Sequence, residues 1–174
     1  AVIVVCDGVS SPPGSAAASL AAATAARDLL VERLAGDGSV RLDEALVEAT
    51  AAGQAQAAAA PVVTGPVPHG HGGPPSSTFV AAVARPVGDA VHVDVAWVGD
   101  SRAYWLADGE ATALTDDHEI GGSLIRWLGA DSSESTPELT HLVAEGPGRL
   151  LVCSDGLWRY ADPSPVLAAL ITRL

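Results

Sequence analysis

Apolar side chains occur along the chain in several short runs, and two long Ala-rich stretches separate the first run from the others. Residues 2–6 form a continuous apolar run rich in β-branched side chains, which is typical of a buried central strand. Between Val91 and Trp97, apolar residues occupy every second position. This period of two predicts a strand with one strongly buried face.

The same patterns predict seven strands and three helices. Gly88-Asp89 and Asp108-Gly109 separate neighbouring apolar runs and are typical of hairpin turns. The predicted helices are Ser15–Leu34, 42–60 and 163–174, and the predicted strands are 2–6, 77–84, Ala90–Val98, 102–106, 111–114, 139–144 and Arg149–Cys153. A further segment, residues 119–128, is ambiguous, and a short helix is one interpretation of it.

The order of these elements indicates the fold class. Consecutive strands joined by short turns favour antiparallel sheets, and long helices set apart from them favour an α+β fold over alternating α/β. We expect a single domain over residues 1–174, because no repeat and no linker interrupts the pattern. The chain opens directly in a strand and has no methionine, so we also expect it to be a portion of a longer protein.

Composition narrows the classes of partner. The net charge of -12 argues against nucleic acid, because phosphate backbones attract Lys and Arg. Every apolar run is shorter than the roughly 18 residues that a membrane helix needs. Cys6 and Cys153 both lie in strand-like runs, which favours a reducing, cytoplasmic location, although a bridge between them stays open. The Ala-rich, Lys-free composition suggests a bacterial source.

Three aspartates share one setting, since each follows an apolar strand and adjoins a glycine. They are Asp7, Asp100 and Asp155. Any one of them alone is typical of a turn that ends a strand. Three carboxylates without a His or Cys ligand select a hard cation, which is Mg²⁺ or Mn²⁺, or else Ca²⁺.

Five short strings carry a resemblance to a known family. They read Val-Val-Cys-Asp-Gly, Ser-Thr-Phe-Val-Ala-Ala-Val, Trp-Val-Gly-Asp-Ser-Arg-Ala-Tyr, Leu-Thr-Asp-Asp-His and Leu-Leu-Val-Cys-Ser-Asp-Gly-Leu-Trp, at residues 4–8, 77–83, 97–104, 114–118 and 150–158. In this order they resemble the metal-dependent serine/threonine protein phosphatases of the PP2C (PPM) family. The strings span nearly the whole chain.

The resemblance implies a fold and a set of metal ligands. The fold is an αββα sandwich, in which two antiparallel sheets are flanked by helices. Asp7 would bridge two ions, Mn²⁺ or Mg²⁺, and Gly8 would offer its backbone carbonyl. Asp155 would bind the first ion and help to bind a third, whose other protein ligand would be Asp100. Asp7 and Asp155 would thus be the catalytic residues.

The resemblance also implies a reaction. A water activated by two divalent ions would attack the phosphorus of a phosphoserine or phosphothreonine in a partner phosphoprotein. Neither cysteine has the setting of a cysteine phosphatase, so both are interpreted as core residues. A Ca²⁺-binding domain is a weaker alternative, because no EF-hand loop is present.

The sequence departs from the family pattern at several points. Val9 stands where eukaryotic members carry a His that is proposed as a general acid, and Ser10 and Ser11 stand where glycines are usual. An upstream segment with an Arg and a Glu-Asp pair is absent, as is a downstream Asp-Asn motif. The segment 118–128 is shorter than the usual flap. An inactive pseudophosphatase that acts as a binding module is therefore the alternative function.

Other polar residues have simpler interpretations. His69 and His71 lie in a Pro/Gly-rich loop and are interpreted as solvated rather than as metal ligands. Arg102 is interpreted first as a local partner of an acidic residue, and second as a phosphate contact. Ser76 and Ser77 are expected at a strand start, because no nucleophile-elbow motif surrounds them.

Overall fold

The fold is α+β, as predicted, in a computed structural model that describes residues 1–9, 13–36, 40–62, 73–161 and 164–171. Two helices follow the first strand, and most of the other strands form antiparallel hairpins. The helices are α1 Ser15–Leu34, α2 Leu42–Ala58, α3 Asp155–Ala161 and α4 Ser164–Ile171. The strands are β1 Val2–Val5, β2 Ser76–Ser77, β3 Phe79–Val87, β4 Ala90–Val98, β5 Arg102–Ala107, β6 Glu110–Ala113, β7 Glu119–Ile120, β8 Ser123–Leu124, β9 Leu128–Gly129, β10 Glu138–Glu145 and β11 Arg149–Cys153.

Two sheets form the centre of the molecule. The first sheet has the strand order β1-β3-β4-β10, and the second has the order β11-β5-β6. All their pairings are antiparallel. The predicted turns join β3 to β4 and β5 to β6, and Asp108 and Gly109 both have positive φ, at 54° and 80°. Positive φ at both turn residues matches the right-handed twist of the strands.

Three hydrophobic clusters fill the spaces between the layers of helices and sheets. Between the two sheets lie Val80, Ala82, Val93, Val95 and Trp97 of the first sheet, packed against Ala103 and Val152 of the second. The Ala-rich faces of α1 and α2 cover the other side of the first sheet. Leu167 of α4 packs on Tyr104, Leu106 and Ala111 of the second sheet. The αββα layering expected from the resemblance is therefore present.

Small residues let α1 and α2 pack closely. Gly53 of α2 faces α1 at such short range that an added Cβ would lie 3.4 Å from the carbonyl oxygen of Ala22. Ala22, Ala26 and Ala49 are completely buried. The predicted bounds of α1 are confirmed, and α2 ends at Ala58, two residues before its predicted end.

Two segments differ from the sequence-based expectation. The interpretation of residues 119–128 as a short helix is wrong, because β7 and β8 form a hairpin there and β9 follows. Gly121 and Gly122 have positive φ, at 60° and 83°, which a right-handed helix does not accommodate. The predicted final helix over 163–174 is described as α4, and α3 before it was not predicted.

The remaining expectations concern the cysteines and the membrane. Cys6 and Cys153 are free thiols that belong to different hydrophobic clusters. In the described part of the chain, no helix is both long and apolar enough to span a membrane. The loop histidines His69 and His71, and also Ser10 and Ser11, lie outside the described residues.

Candidate metal and phosphate site

The three predicted aspartates reach one end of the sandwich because of the strand topology. Strands β1 and β4 run in the same direction, since each pairs antiparallel with β3 between them. Asp7 follows β1 and Asp100 follows β4, so both lie at the same edge of the first sheet. Asp155 follows β11, whose last residue pairs with the first residue of β5, two positions after Asp100.

These residues line one cleft of about 490 Å³. Asp7, Gly8, Asp100 and Asp155 all contribute to its wall. Val9 comes from the loop after β1, Ser76 and Thr78 come from β2 and the residue after it, and Arg159 comes from α3. Residues 119–131, called the flap below, supply the rest: Gly122, Ser123, Leu124, Trp127 and Asp131. The structure thus brings together all four predicted site residues, and their role as metal ligands stays a prediction.

The backbone of Asp7 is clamped to Thr78. The Asp7 N–H donates to the Thr78 hydroxyl at 3.1 Å, and the Thr78 N–H donates to the Asp7 carbonyl at 2.8 Å. The Ser77 hydroxyl lies 3.1 Å from the same carbonyl and 2.8 Å from the Thr78 carbonyl, and its single hydrogen is shared between these two acceptors. Thr78 is almost fully buried, so these bonds are shielded from water and hold the Asp7 backbone in place.

Gly8 lies against the start of α1. A Cβ at this position would approach the backbone carbonyl carbon and oxygen of Ser15 to 2.7 Å, which no side chain tolerates. The glycine therefore lets the loop after β1 pass directly beneath the first turn of the helix. The Val9 N–H then donates to the Ser76 carbonyl at 3.0 Å, which extends the contact between this loop and β2.

Asp100 is reached through a tight turn. Gly99 has φ of 106°, and an added Cβ would lie 2.9 Å from the side chain of Thr78. The Ser101 and Thr78 hydroxyls are 2.7 Å apart and form a hydrogen bond. Thr78 thus connects the loop that carries Asp7 with the loop that carries Asp100.

A buried histidine holds the Gly99 peptide from behind the cleft. The Gly99 N–H donates to Nδ1 of His118 at 3.0 Å, and the His118 N–H donates to the Gly99 carbonyl at 3.0 Å. Because Nδ1 accepts, neutral His118 carries its hydrogen on Nε2, which lies 3.1 Å from the Glu138 carboxylate. Burial lowers the pKa of His118, Arg126 beside it lowers the pKa further, and the Glu138 hydrogen bond raises it.

The indole of Trp158 fixes the same loop from the side of α3. Its Nε1–H donates to the Asp100 carbonyl at 2.8 Å. The guanidinium of Arg102 lies 3.5 Å from the centre of the Trp158 ring and makes two hydrogen bonds to Asp117, at 2.8 and 2.7 Å. Arg102 is therefore a local partner of an acidic residue, as first interpreted, and it is not among the residues that line the cleft.

One arginine joins the acidic side of the cleft. Arg159, on α3, lies 3.1 Å from Asp155, 3.3 Å from Asp100 and 3.2 Å from Glu119 of β7. The Asp100 side chain is only 7% exposed, and that of Asp155 is 38% exposed. Burial raises the pKa of Asp100; the hydrogen bond from Arg159 lowers it, and the neighbouring Asp155 carboxylate raises it again.

The flap forms a further part of the wall. Gly122, Ser123 and Leu124 come from the β7–β8 hairpin. Beyond it, the Trp127 indole donates to the Asp131 carboxylate at 2.9 Å, and both residues line the cleft. Sequence reasoning missed Asp131 because it follows no strand that the pattern predicts.

Arg159 is the other residue that the sequence-based prediction missed. It follows the Ser-Asp-Gly-Leu-Trp string directly, and its position four residues after Asp155 is the usual spacing of an ion pair on a helix. That spacing predicts the Asp155–Arg159 ion pair only if residues 155–161 are already known to be helical.

The described residues fit divalent ions at Asp7, Gly8 and Asp155, but not between Asp155 and Asp100. No three His, Cys, Asp or Glu side chains in the described ranges converge to form a complete metal site. Asp7 makes no ion pair within those ranges, and Mg²⁺ is commonly held by one or two carboxylates with several waters. Asp100 and Asp155 do not fit a third ion, since Arg159 contacts both carboxylates.

Comparisons with known proteins agree with the fold and the motifs. The catalytic domain of the serine/threonine protein phosphatase PstP, solved in complex with two manganese ions, is 25% identical, with a TM-score of 0.62 over 98% of this chain and 78% of that chain. The phosphatase MsPP of Mycobacterium smegmatis, solved with cacodylate, is 23% identical, with a TM-score of 0.61 over 97% of this chain and 78% of that one.

A curated relative is similar over a shorter stretch. The Mycoplasma pneumoniae protein named "Putative protein phosphatase" is 29% identical in an alignment of 89 residues, with a coverage of 39% of this chain. The match spans about a third of that relative's length, at 34%. The family model for Protein phosphatase 2C matches residues 1–174. The chain therefore belongs to the protein phosphatase 2C family.

Proposed function

We propose that residues 1–174 form the core of one phosphatase domain that hydrolyses phosphoserine and phosphothreonine in phosphoproteins with Mn²⁺ or Mg²⁺. The observation that carries this proposal is the convergence of Asp7 and Asp155 from two different sheets at one cleft, with the Gly8 backbone beside them. In this proposal, Asp7, Gly8 and Asp155 hold the ions. Bound ions would supply an activated water and positive charge for the phosphoryl oxygens.

The charge of the cleft explains why the reaction would depend on metal. Among the described lining residues, Asp7, Asp100, Asp131 and Asp155 are acidic, and Arg159 is the single basic one. Arg159 already contacts three carboxylates. A phosphate dianion would therefore be repelled by the protein alone, and divalent cations reverse this charge.

The chain's own residues then have positioning roles. The Thr78 clamp fixes the backbone that carries Asp7, so the carboxylate starts from an ordered strand end. No histidine lines the described part of the cleft, and Val9 stands at its wall. We therefore assign the proton that the leaving serine or threonine oxygen needs to solvent water, not to a side chain.

The alternative function is a non-catalytic module that binds a phosphoprotein or a regulator. The specific observation in its favour is the absence of a complete metal-binding group in the described ranges. The two functions differ in one respect: the enzyme releases phosphate when metal is supplied, and the binding module does not.

The test is hydrolysis of a phosphothreonine peptide by the full-length protein. We expect phosphate release with Mn²⁺, none with chelator, and a loss of roughly 10³-fold in Asp155→Ala, because metal-based charge stabilisation contributes several kcal/mol. The control is Asp89→Ala, which removes an exposed carboxylate at the β3–β4 turn, at the other end of the sheet. Folded wild-type protein that releases no phosphate at any Mn²⁺ concentration would establish the alternative.

A further inference from the structure

Arg159 connects three separate parts of the fold. It contacts Asp155 at the start of its own helix, Asp100 in the loop between the two sheets, and Glu119 in the flap hairpin. Its Nε faces the Asp155 carboxylate, and one terminal nitrogen faces both of the others. A single guanidinium thus pairs with carboxylates from three elements and offsets one of their three negative charges.

The position of Arg159 is set by its helix. Asp155 and Arg159 are one turn apart on α3, so both side chains lie on the same face of the helix. The Arg159 guanidinium also lies 5.2 Å from the centre of the Trp158 ring, at the distance of a cation–π contact. Trp158 in turn donates to the Asp100 carbonyl, so one short helix supplies the cation and anchors the loop that needs it.

The Asp100 carboxylate requires a cation in its folded position. Its side chain is 7% exposed, and a buried carboxylate without a partner is strongly unfavourable. The resemblance to the phosphatase family implies that this cation is a third metal ion, which Asp100 and Asp155 would share. In this chain the guanidinium lies on the same two carboxylates, and an ion bound to both of them would compete with it for space and charge.

We propose that Arg159 is a built-in cation between Asp100 and Asp155 that takes the place of a third metal ion. The inference rests on the proposed function, because it keeps the ions that Asp7, Gly8 and Asp155 would hold and removes only the ion shared between Asp155 and Asp100. A guanidinium stays charged at all physiological pH values and does not dissociate. The negative charge of Asp100 and Asp155 would therefore remain partly offset at any metal concentration.

The test counts bound ions rather than turnover. Free Mn²⁺ is followed by electron paramagnetic resonance during titration of the wild type, Arg159→Ala and Arg159→Gln. We expect both Arg159 variants to bind one more ion than the wild type, with an affinity of about 10⁻⁴–10⁻³ M, as in weak oxygen-ligand sites. The glutamine variant keeps most of the side-chain length, and circular dichroism checks that each variant is folded.

Two further variants test whether the extra Mn²⁺ ion binds at the position of the Arg159 side chain. Arg27→Ala removes the same charge from an exposed site on α1, where the partner is the neighbouring Asp28, and it should bind as many ions as the wild type. Adding Asp100→Asn to Arg159→Ala should remove the extra ion. Equal counts in the wild type and both Arg159 variants, including a count of zero, would overturn the proposal. A wild type that binds metal but releases no phosphate would count against the proposed function alone.

Discussion

Asp7 and Asp100 follow two strands, β1 and β4, that run in the same direction on either side of β3. The chain nevertheless holds the two aspartates in different ways. The Asp7 backbone is clamped by Thr78 and Ser77, and its carboxylate has no ion-pair partner within the described ranges. The Asp100 backbone is held by Trp158, and its carboxylate is neutralised by Arg159. One carboxylate is thus positioned and left available for a cation, while the other already has one.

The difference shows that the position of a carboxylate in the cleft does not decide whether it is available to bind a metal ion. Strand topology alone brings both aspartates to the cleft. Which of them is available for an external ion depends on a side chain from another element, here Arg159 of α3.

The largest expected effect is on turnover. Asp7→Asn should lower Mn²⁺-dependent phosphate release from a phosphothreonine peptide by roughly 10³-fold or more, because an essential anionic ligand is lost. Asp100→Asn should lower it by less than about tenfold, since the comparison assigns no ion to this residue. Steady-state kinetics of the two full-length variants measures both; equal, large losses would contradict the comparison.

The thiols that precede Asp7 and Asp155, Cys6 and Cys153, offer a second test. Burial raises the pKa of Cys6 to about 12, although a Ser77 hydrogen bond lowers it, and burial raises the pKa of Cys153 to about 11, with Arg102 lowering it. Because the thiolate is the reactive form, iodoacetamide at about pH 8 should modify both native thiols at least roughly 10²-fold more slowly than the unfolded chain.

Mass spectrometry with peptide mapping resolves the two sites. Cys153 should react faster than Cys6, in line with its lower pKa. Modification of Cys6 in the folded protein as fast as in the unfolded chain would show that the strand end before Asp7 is not held in place, which would contradict the clamped half of the comparison.

The clamp on Asp7 predicts a moderate loss of stability. Thr78→Val keeps the shape of the side chain but removes the hydroxyl that accepts from the Asp7 N–H and bonds to Ser101. Leaving buried polar groups without a partner should lower the free energy of unfolding by about 1–3 kcal/mol, measured by urea denaturation. Thr112→Val on the exposed face of β6 is the matched control and should change it by less than about 0.5 kcal/mol.

The smallest effect concerns His118 behind Asp100. Its pKa is lowered, chiefly by burial, so the stability that neutral His118 contributes is complete above its ordinary pKa of about 6.5. That stability is lost as the pH falls through the lowered value, because protonation of Nδ1 breaks the bond from Gly99. Urea titrations from about pH 8 to about pH 5 should show a smaller decline for His118→Gln than for the wild type; identical slopes would exclude His118 as the cause.

Much of the fold could be predicted from local patterns. Apolar runs of period two and the Gly-containing turns at Gly88 and Gly109 locate the strands of both sheets, because these signals depend on neighbouring residues only. Strand ends were sufficient to select Asp7, Asp100 and Asp155 as candidates. The lining of the cleft by all three then follows from the antiparallel pairings.

The missed features depend on contacts between distant elements. Helix α3 has seven residues and includes Gly156, so neither its length nor its composition gives a helical pattern. The contacts of Arg159 with Asp100 and Glu119 span 59 and 40 positions of sequence, and no local period encodes them. The Thr78 clamp was missed for the same reason, since Asp7 is 71 positions away.

The most direct test of the account is a crystal structure of the protein grown with Mn²⁺, with the ions located by anomalous scattering. We predict anomalous peaks beside the Asp7 carboxylate and the Gly8 carbonyl, with the Arg159 guanidinium still between Asp100 and Asp155. A cleft without a peak next to Asp7, or a peak between Asp100 and Asp155 with Arg159 displaced, would contradict the account.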